Sequence, residues 1–417
     1  MQNQGLNPRS VRLAMVAGEA SGDLLAGLLL QGLHTRWPGK ELSTYGIGGV
    51  RMVEQGFDAW WPSDKLAVRG YVEVLRHYRE IAGIRQQLKK RLLGSTHRPD
   101  IFIGVDAPDF NLALEADLRQ AGIKTMHFVC PSIWAWRASR IDKIRQGADH
   151  VLCVFPFEPA LLASQGIAAT FVGHPLANAI ALKPDKAAAR QRLGLAAEDT
   201  VVALLPGSRA SEIDYLALCF FQAASHINTA RAAIKFIVPA MPALQGRIEA
   251  LARQAVLLHG SGADVQIFTG QSHAVLAACD VAIVASGTAT LEAALFKRPM
   301  VIAYKMHWLS WQIMRKKQLQ PWVGLPNILC REFVVPELLQ EAATPEAIAL
   351  ATLRWLDEVS HTREKTWVQP HDNSHYSHNN PPTDKIAALE QRFTDLHRQL
   401  QGDTARLASE AIGDLLG

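Results

Sequence analysis

Short runs of apolar and β-branched residues alternate with amphipathic segments along most of this 417-residue chain. Each run has the length of one β-strand. The segments between the runs repeat apolar residues at helical steps, as Tyr78, Ile81, Leu88 and Leu92 do. Because strands that alternate with helices form parallel sheets covered on both faces, the pattern predicts an α/β protein built from doubly wound parallel sheets.

Both halves of the chain contain such runs. Strands are predicted at Val11–Val16, Ser43–Ile47, Ile101–Val105, Lys124–Val129, His150–Val154, Thr170–Val172, Val201–Leu205, Ile234–Val238, Val265–Phe268, Val281–Val284 and Met300–Ala303. Residues 177–199 are rich in Ala, Lys and Pro and carry no strand pattern, which places a domain junction there. We expect Rossmann-like domains at 1–176 and 177–340 that face a cleft, and C-terminal helices at 341–417 that pack back. A polar stretch at 360–383, rich in His and Asn, is interpreted as a flexible insertion.

Length and composition narrow the protein class. The chain is longer than a single domain with one hydrophobic core usually is, which favours two domains. A composition of 48% hydrophobic and 20% charged residues is typical of a soluble globular protein. No apolar run is long enough to cross a bilayer, residues 1–10 have no signal-peptide core, and the five cysteines lack metal-ligand spacing. A cytoplasmic protein is therefore predicted. The net charge of +4 is compatible with acidic ligands or an anionic membrane. Nucleic-acid binding is not indicated, because the sequence shows no basic face interleaved with aromatic residues.

A strand, a tight turn and a helix start follow one another in the second half. An apolar run stops at Ser286, Gly287 and Thr288, and a helix-forming sequence follows at once. Free N–H groups and the helix dipole at such a start favour a bound phosphate. Glu292 falls one turn into the helix, where its carboxylate could accept hydrogen bonds from a ribose. The motif predicts a nucleotide site.

The same pattern recurs at Leu204–Arg209, where Ser208 and Arg209 follow a Pro-Gly pair. A guanidinium at a helix start can neutralise a diphosphate through charge-assisted hydrogen bonds; an exposed surface arginine is the alternative. Asn327 is a further amide that could reach a ligand. Two such turns in one half suggest a nucleotide-diphosphate site.

In the first half, polar residues follow strands at the end where open parallel sheets bind ligands. Asp106 comes directly after Ile101–Val105 and next to Ala-Pro, so it is a candidate general base; capping of the next helix is the alternative. Glu19 and Ser21 lie in a turn bounded by glycines after the first strand, although the turn lacks the dinucleotide-binding fingerprint. His174 ends the last strand of this half and is either a ligand contact or a structural histidine.

For each of three other segments, two interpretations remain open. Residues 308–322 hold three tryptophans interleaved with basic residues, as in a membrane-surface contact or in a helix packed on its own domain. Pro131–Arg137, with two tryptophans and an arginine, could hold a sugar or an acyl chain, or pack the domain. His371, His375 and His378 have the spacing of a helical metal site, but the surrounding Asn and Pro residues disfavour a helix.

Taken in order, these motifs resemble those of lipid-A-disaccharide synthases, bacterial glycosyltransferases of the two-domain GT-B type. The resemblance runs from Val11 to Leu339 and is carried by Val16–Asp23, Gly104–Asn111, Pro131–Arg137, Gly173–Pro175, Leu204–Arg209, Ala285–Glu292 and Pro326–Asn327. It implies UDP-2,3-diacylglucosamine as donor and 2,3-diacylglucosamine 1-phosphate (lipid X) as acceptor. Attack with inversion at the anomeric carbon would give lipid A disaccharide 1-phosphate and UDP.

The resemblance also implies roles for single residues. Asp106 matches the aspartate regarded as the base, and Arg209 matches an arginine needed for activity. Ser286, Gly287, Thr288, Glu292 and Asn327 would belong to the UDP pocket. From the sequence itself, Glu19, Ser21, His174 and Ser208 are the other expected substrate contacts. No metal or other cofactor is implied, because helix dipoles and basic side chains take the charge of the leaving group. The implied partners are the two lipid substrates and the inner-membrane surface of a Gram-negative bacterium, contacted peripherally; a homodimer is also considered.

Two features depart from the family pattern. Arg69 stands where relatives are expected to carry an apolar residue, which leaves the placement of acyl chains around Lys65–Tyr71 open. The stretch at 360–383 is longer than expected and could alter how the final helices dock.

Two other functions remain open from the sequence. A UDP-N-acetylglucosamine 2-epimerase would share the architecture but would not need the tryptophan-rich segment at 308–322. A non-catalytic, membrane-associated protein that binds a nucleotide sugar would not need both Asp106 and Arg209.

Overall fold

The computed structural model describes residues 10–18, 20–66, 71–135, 138–259, 263–367 and 384–417. The chain divides into two compact units. Unit 1 is Met1–Asn178 together with Leu400–Gly417, and unit 2 is Ala179–Gln399. Within the described ranges, no helix combines the length and apolar character that crossing a bilayer requires.

Unit 1 is built on a seven-stranded parallel sheet in the order β3-β2-β1-β4-β5-β6-β7. Its strands are β1 (Ser10–Ala17), β2 (Glu41–Gly48), β3 (Asp58–Pro62), β4 (Ile101–Val105), β5 (Lys124–Phe128), β6 (His150–Cys153) and β7 (Ala169–Phe171). Its helices are α1 (Ala20–Arg36), α2 (Val50–Val53), α3 (Tyr71–Leu93), α4 (Pro108–Gln120), α5 (Ile141–Gly147), α6 (Glu158–Ala163) and α7 (Pro175–Ala179), the last of which ends at the boundary with unit 2. The chain order reverses between β1 and β4, and open sheets of this kind bind ligands beside the carboxyl ends of the strands at such a point.

Unit 2 repeats the scheme with a six-stranded parallel sheet in the order β10-β9-β8-β11-β12-β13. Its strands are β8 (Thr200–Leu205), β9 (Ile234–Ala240), β10 (Asp264–Thr269), β11 (Val281–Ala285), β12 (Met300–Tyr304) and β13 (Glu337–Leu339). Its helices are α8 (Lys186–Leu193), α9 (Ala210–Ala230), α10 (Gln245–His259), α11 (Ser272–Ala278), α12 (Thr288–Leu295), α13 (Trp308–Lys317), α14 (Leu325–Cys330), α15 (Pro345–Trp367) and α16 (Lys385–Leu400). Here the order reverses between β8 and β11.

Both cores form where apolar strand residues meet apolar helix faces. In unit 1, Phe102 of β4 packs in one buried cluster with Leu88 of α3 and Leu114 of α4. In unit 2, Phe236 of β9 and Phe220 of α9 belong to a buried cluster that also includes residues of α15. These central strands are buried throughout, as the uninterrupted apolar runs predict.

The final helix, α17 (Thr404–Leu416), returns to unit 1 and packs against α1. Gly32 of α1 permits this approach, because a Cβ at that position would lie 2.5 Å from the Cβ of Ala405. The segment before α17 is held by a hydrogen bond from the His174 N–H to the Leu400 carbonyl (2.7 Å). The predicted return of the C-terminal helices is therefore confirmed for α17.

The predicted strands all form, within a few residues of their expected ends, and the parallel sheets are confirmed. Two further strands, β3 and β13, were not predicted. The sequence of β3 ends in Pro62 at a sheet edge and does not alternate, whereas β13 is only three residues long. The flexible insertion was predicted to begin too early, since α15 continues to Trp367; residues 368–383 lie outside the described residues.

Candidate active site

Asp106 occupies a strained turn at the carboxyl end of β4. Its φ is 51° and that of the next residue, Ala107, is 43°, so two consecutive non-glycine residues have left-handed backbone conformations. The Asp106 N–H donates to the Phe128 carbonyl (2.8 Å), and its carbonyl accepts from the side-chain amide of Asn111 (2.8 Å). Its side chain is partly exposed. The turn therefore presents a carboxylate from a backbone that is held on two sides.

The turn after β1 lies beside the Asp106 turn. A Cβ at Gly18 would stand 3.0 Å from the Cβ of Ala107, so a larger residue at position 18 would require the neighbouring turn to shift slightly. Ser21 is exposed in the first turn of α1, and Glu19 lies outside the described residues. Asp23 is buried and accepts hydrogen bonds from the N–H groups of Gly49 (2.8 Å) and Arg51 (2.9 Å), which gives it a structural role.

The tryptophan motif packs inside unit 1. Trp134 is buried and donates from Nε1 to Oε1 of Glu158 (2.9 Å), and its ring packs edge-on against Phe155 and Phe157. Burial raises the pKa of Glu158 to about 7. The described part of the motif therefore fits the packing interpretation; Trp136 and Arg137 lie outside the described residues.

His174 is held by its neighbours. Its Nδ1 accepts from the Leu176 N–H (3.2 Å), and its ring lies 5.6 Å from that of Phe155. Burial lowers the pKa of His174 to about 4, so the imidazole is neutral at physiological pH. A neutral histidine fixed in this way can offer at most its other nitrogen to a substrate.

In unit 2, Ser208 and Arg209 lie between β8 and the start of α9. Gly207 has φ 128°, and a Cβ there would collide with Glu212 at 2.5 Å. The carboxylate of Glu212 accepts from the Ser208 N–H (3.0 Å) and from Nη1 of Arg209 (3.1 Å). The Arg209 side chain is 47% exposed. A carboxylate of the protein itself thus occupies donors of the kind that bind phosphate.

Glu212 contacts two of the predicted site residues, and the sequence analysis did not identify it. Arg209 is the N-cap of α9 and Glu212 is the third residue of the helix, where a carboxylate commonly reaches back to orphan N–H groups. That spacing was the available signal.

Ser286, Gly287 and Thr288 form the turn between β11 and α12. Gly287 has φ 152°, a conformation that other residues rarely adopt, and both Gly287 and Thr288 are exposed. The Ser286 N–H donates to the Ala303 carbonyl (3.2 Å), and its hydroxyl is 3.4 Å from the Val323 carbonyl oxygen. Gly287 and Thr288 are thus exposed at a helix start, a position compatible with an anionic ligand.

Glu292 lies one turn further into α12. Burial raises its pKa to about 7, and Oε2 lies 3.6 Å from Nε2 of His273 at the start of α11. Burial also lowers the pKa of His273. No sequence pattern links these two residues, since the fold alone brings α11 and α12 together. Glu292 is therefore a half-buried carboxyl group whose pKa lies near neutral pH.

Asn327 is fully buried, and protein groups occupy its whole amide. Its Nδ2 donates to the carbonyl of Val335 (2.9 Å) and to Oε1 of Glu337 (2.8 Å). Its Oδ1 accepts from the N–H groups of Val334 (2.9 Å) and Val335 (3.0 Å). Glu337 in turn accepts from the Val323 N–H (3.0 Å). In this conformation Asn327 supports the segment whose Val323 carbonyl faces Ser286, and it offers no polar atom to a ligand.

The tryptophan-rich segment of unit 2 is partly exposed. Trp308 at the start of α13 is 63% exposed and Leu319 just beyond it is 55% exposed, whereas Trp311 and Trp322 are half-buried. Among the described residues, no group of three or more His, Cys, Asp or Glu side chains is arranged to hold a metal ion; His371, His375 and His378 lie outside them.

Comparison with known proteins settles the family. The sequence profile of the family described as lipid-A-disaccharide synthetase matches residues 13–388. The chain is 62% identical over 407 residues to the lipid-A-disaccharide synthase of Verminephrobacter eiseniae, covering 97% of each chain. It is 63% identical over 408 residues to that of Albidiferax ferrireducens, again covering 97% of each. The chain belongs to the lipid-A-disaccharide synthase family.

Members of the lipid-A-disaccharide synthase family are enzymes, and this chain is accordingly a UDP-sugar-dependent glycosyltransferase of lipid A biosynthesis. The predicted family is therefore confirmed. Neither the epimerase nor the non-catalytic alternative is supported by the relatives.

Solved structures confirm the fold type. The glycosyltransferase of kitacinnamycin has a TM-score of 0.58 at 15% identity, covering 98% of this chain and 100% of its own. The UDP-GlcNAc 2-epimerase from Neisseria meningitidis, bound to UDP-GlcNAc, also has a TM-score of 0.58, at 11% identity over 98% and 99% of the two chains. At such identities the likeness concerns the fold alone, and it agrees with the predicted GT-B architecture.

Proposed function

We propose that this synthase transfers 2,3-diacylglucosamine from its UDP conjugate to lipid X with inversion at the anomeric carbon. The 6-hydroxyl of lipid X attacks C1 of the donor sugar, a β-1,6 C–O bond forms, and the bond from C1 to the β-phosphate oxygen breaks. UDP leaves with the bonding electron pair. The acceptor's proton passes to the carboxylate of Asp106, so the charges balance.

The observation that carries this proposal is the fixed turn that presents Asp106 at the carboxyl end of β4. A general base must lie within hydrogen-bond reach of the proton it removes, and its direction must be fixed to be effective. Asp106 projects from a turn whose N–H and carbonyl are both engaged, to Phe128 and Asn111. Ser21 and His174 in the same unit, with Glu19, are proposed to contact the acceptor.

We assign the donor nucleotide to unit 2. Arg209 and the Ser208 N–H would bind the diphosphate by displacing Glu212, and the turn Ser286–Thr288 would supply further N–H donors. Glu292 would accept hydrogen bonds from the ribose, with Asn327 supporting the turn from beneath. The positive charge of Arg209 and the helix starts would stabilise the leaving UDP, so we expect no metal requirement.

The decisive experiment incubates the purified chain with UDP-2,3-diacylglucosamine and lipid X in detergent micelles containing EDTA. Mass spectrometry should detect UDP and tetraacyl disaccharide 1-phosphate. Asp106→Asn should lower kcat by about 10²–10⁴-fold, the usual contribution of general base catalysis. Asp109→Asn is the matched control, since Asp109 lies in the same motif but is exposed and paired with Arg140. Folded protein that makes no disaccharide, or an Asp106→Asn variant with unchanged kcat, would contradict the assignment.

A peripheral contact with the cytoplasmic face of the inner membrane is also proposed, because both substrates carry acyl chains. The exposed Trp308 and Leu319 support α13 as part of that contact. Co-sedimentation with vesicles containing anionic lipids should decrease for Trp308→Ser and stay unchanged for the exposed control Tyr215→Ser. Equal sedimentation of both variants would exclude α13. Analytical ultracentrifugation would test the homodimer, which stays a prediction.

A further inference from the structure

The backbone at Asp106 and Ala107 is in a conformation that its residues do not favour. Left-handed conformations are unfavourable for non-glycine residues and persist only where surrounding contacts hold them. Relaxing the φ of Asp106 from 51° to a negative value would rotate its Cα–Cβ bond and redirect the carboxylate. Something in unit 1 must therefore hold this turn.

Asn111, on the first turn of α4, provides that hold. It is fully buried, and its Nδ2 donates to the Asp106 carbonyl at 2.8 Å. The same Nδ2 lies 3.4 Å from the carbonyl oxygens of Val105 and Val16. Its own N–H donates to the Ala107 carbonyl at 3.0 Å. One side chain and one backbone group thus engage the carbonyls of both strained residues.

A buried pair of side chains, His127 and Glu115, also holds α4 against the sheet. Nδ1 of His127 on β5 and Oε1 of Glu115 on α4 are 2.7 Å apart, and both side chains are fully buried. Gly104 of β4 makes room for this arrangement, because a Cβ there would lie 2.1 Å from Oε1 of Glu115 and 2.8 Å from the Cβ of Asn111. Close approach of α4 to β4 therefore depends on a strand glycine, which strand sequences otherwise disfavour.

Asn111, Glu115 and His127 form a buried polar cluster that is not fully hydrogen-bonded. Oδ1 of Asn111, Oε2 of Glu115 and Nε2 of His127 are buried without a hydrogen-bond partner in the described part of the chain. Buried polar atoms of this kind are uncommon and destabilising. One of these side chains, Asn111, bonds to the backbone of the candidate catalytic residue Asp106, which points to a role other than stability.

We propose that Asn111 is a positioning residue for the transfer reaction, holding the Asp106–Ala107 turn in its left-handed conformation, with Glu115 and His127 keeping α4 close enough for it to do so. This inference rests on the proposed function, in which Asp106 is the base. Asn111 itself acts only through Asp106.

Asn111→Ala should lower kcat by about 10- to 100-fold, since a displacement near 1 Å from the productive geometry costs up to about 10² in rate. KM for both lipid substrates should stay within about twofold, because the substitution alters the direction of the base and not the binding groups. Asn111→Asp, of nearly the same shape, should be similarly impaired, as it loses the amide donor. Gln120→Ala, an exposed amide at the other end of α4, is the matched control and should retain wild-type kcat.

A double-mutant cycle separates the two hypotheses. If Asn111 acts through Asp106, Asn111→Ala should have little further effect in the Asp106→Asn background. If Asp106→Asn lowers kcat by 10²-fold or more while Asn111→Ala stays within twofold of wild type, the positioning role is overturned and the proposed function stands. If Asp106→Asn itself leaves kcat unchanged, the proposed function fails first. Equal effects of Asn111→Ala in both backgrounds would also overturn the inference.

A second variant covers the case in which Asn111→Ala does not fold. Ala107→Gly removes one source of strain, since glycine adopts a left-handed φ freely, and should restore folding to the Asn111→Ala chain. The combined variant should fold, as judged by circular dichroism, and still have a low kcat, because a glycine turn leaves the carboxylate unrestrained. Recovery of wild-type kcat in this variant would reduce Asn111 to a structural role and overturn the proposal.

Discussion

The candidate base and the candidate phosphate-binding turns follow strands in the same way but are held differently. In unit 1, non-glycine residues at Asp106 and Ala107 are kept in left-handed conformations by the buried Asn111. In unit 2, glycines supply the unusual conformations at Gly207 and Gly287, and the polar groups around them are exposed or engaged by Glu212. A group that makes or breaks bonds needs a fixed direction, whereas a turn that binds a charged ligand needs free donors and partners that can be displaced.

The largest expected effect concerns stability at the opposite end of β11 from the Ser286 turn. Asp280 is fully buried between Lys186 (2.5 Å) and Arg190 (3.0 Å) and also accepts from the Val201 N–H. Asp280→Ala should lower the free energy of unfolding by about 3–5 kcal/mol, because it leaves the buried Arg190 guanidinium without its carboxylate partner. Urea unfolding measures this loss.

The exposed pair Lys235–Asp264 in the same unit is the control, and Asp264→Ala should cost less than about 1 kcal/mol. The folded fraction of Asp280→Ala should keep its donor KM. A changed KM would mean that the two ends of β11 are not functionally separate.

The next prediction concerns Arg209, whose partner Glu212 is proposed to be displaced by the diphosphate. Arg209→Ala should lower kcat/KM by about 10²–10⁴-fold, since charge-assisted hydrogen bonds contribute about 1.5–3 kcal/mol each and a guanidinium can make two. Stability should hardly change, because the Arg209 side chain is 47% exposed. Steady-state kinetics and thermal melts provide the two measurements. Arg247→Ala, which breaks an exposed pair with Asp214, should leave both unchanged.

A smaller effect is expected from pH. Burial raises the pKa of Glu292 to about 7, so the ligand-free protein loses this negative charge as pH falls through that value. The ribose hydroxyls of the UDP-sugar bind best to the ionised carboxylate. The KM for the UDP-sugar should therefore rise about tenfold from pH 8 to pH 6. The donor diphosphate is doubly esterified and does not titrate in this range, and the neighbouring His273 has a lowered pKa. In Glu292→Gln the profile should be flat; a slope that persists would assign the effect to another group.

The smallest effect addresses the strain itself. Ala107→Gly should leave the free energy of unfolding within about 1 kcal/mol of wild type, because relief of the left-handed strain offsets the greater entropy of the unfolded chain. Ala113→Gly, at an exposed interior position of α4, should instead lower stability by about 0.5–1 kcal/mol. Equal losses in the two variants would mean that the turn is not strained.

Much of the candidate site could be found by reading where strands end. Asp106, Arg209 and the Ser286 turn were each predicted from an apolar run that stops at polar or glycine residues, and the structure places all of them after strands. Glu212 carried a recognisable helix-start spacing that was overlooked. The pairing of Glu292 with His273 had no local signal, because strands and helices far apart in sequence bring the two together.

The sequence by itself determined the alternation of strands and helices, the parallel sheets, the turns that follow them and the family, because each depends on local periodicity or on short motifs. Only the tertiary structure decided which polar residues remain exposed and which form hydrogen bonds inside the protein. Asn111 and Asn327 both lie in motifs, yet both amides are buried and bonded to backbone groups. The physical reason is that a hydrogen-bonding side chain has the same sequence signature whether its partner is a substrate or a neighbouring turn.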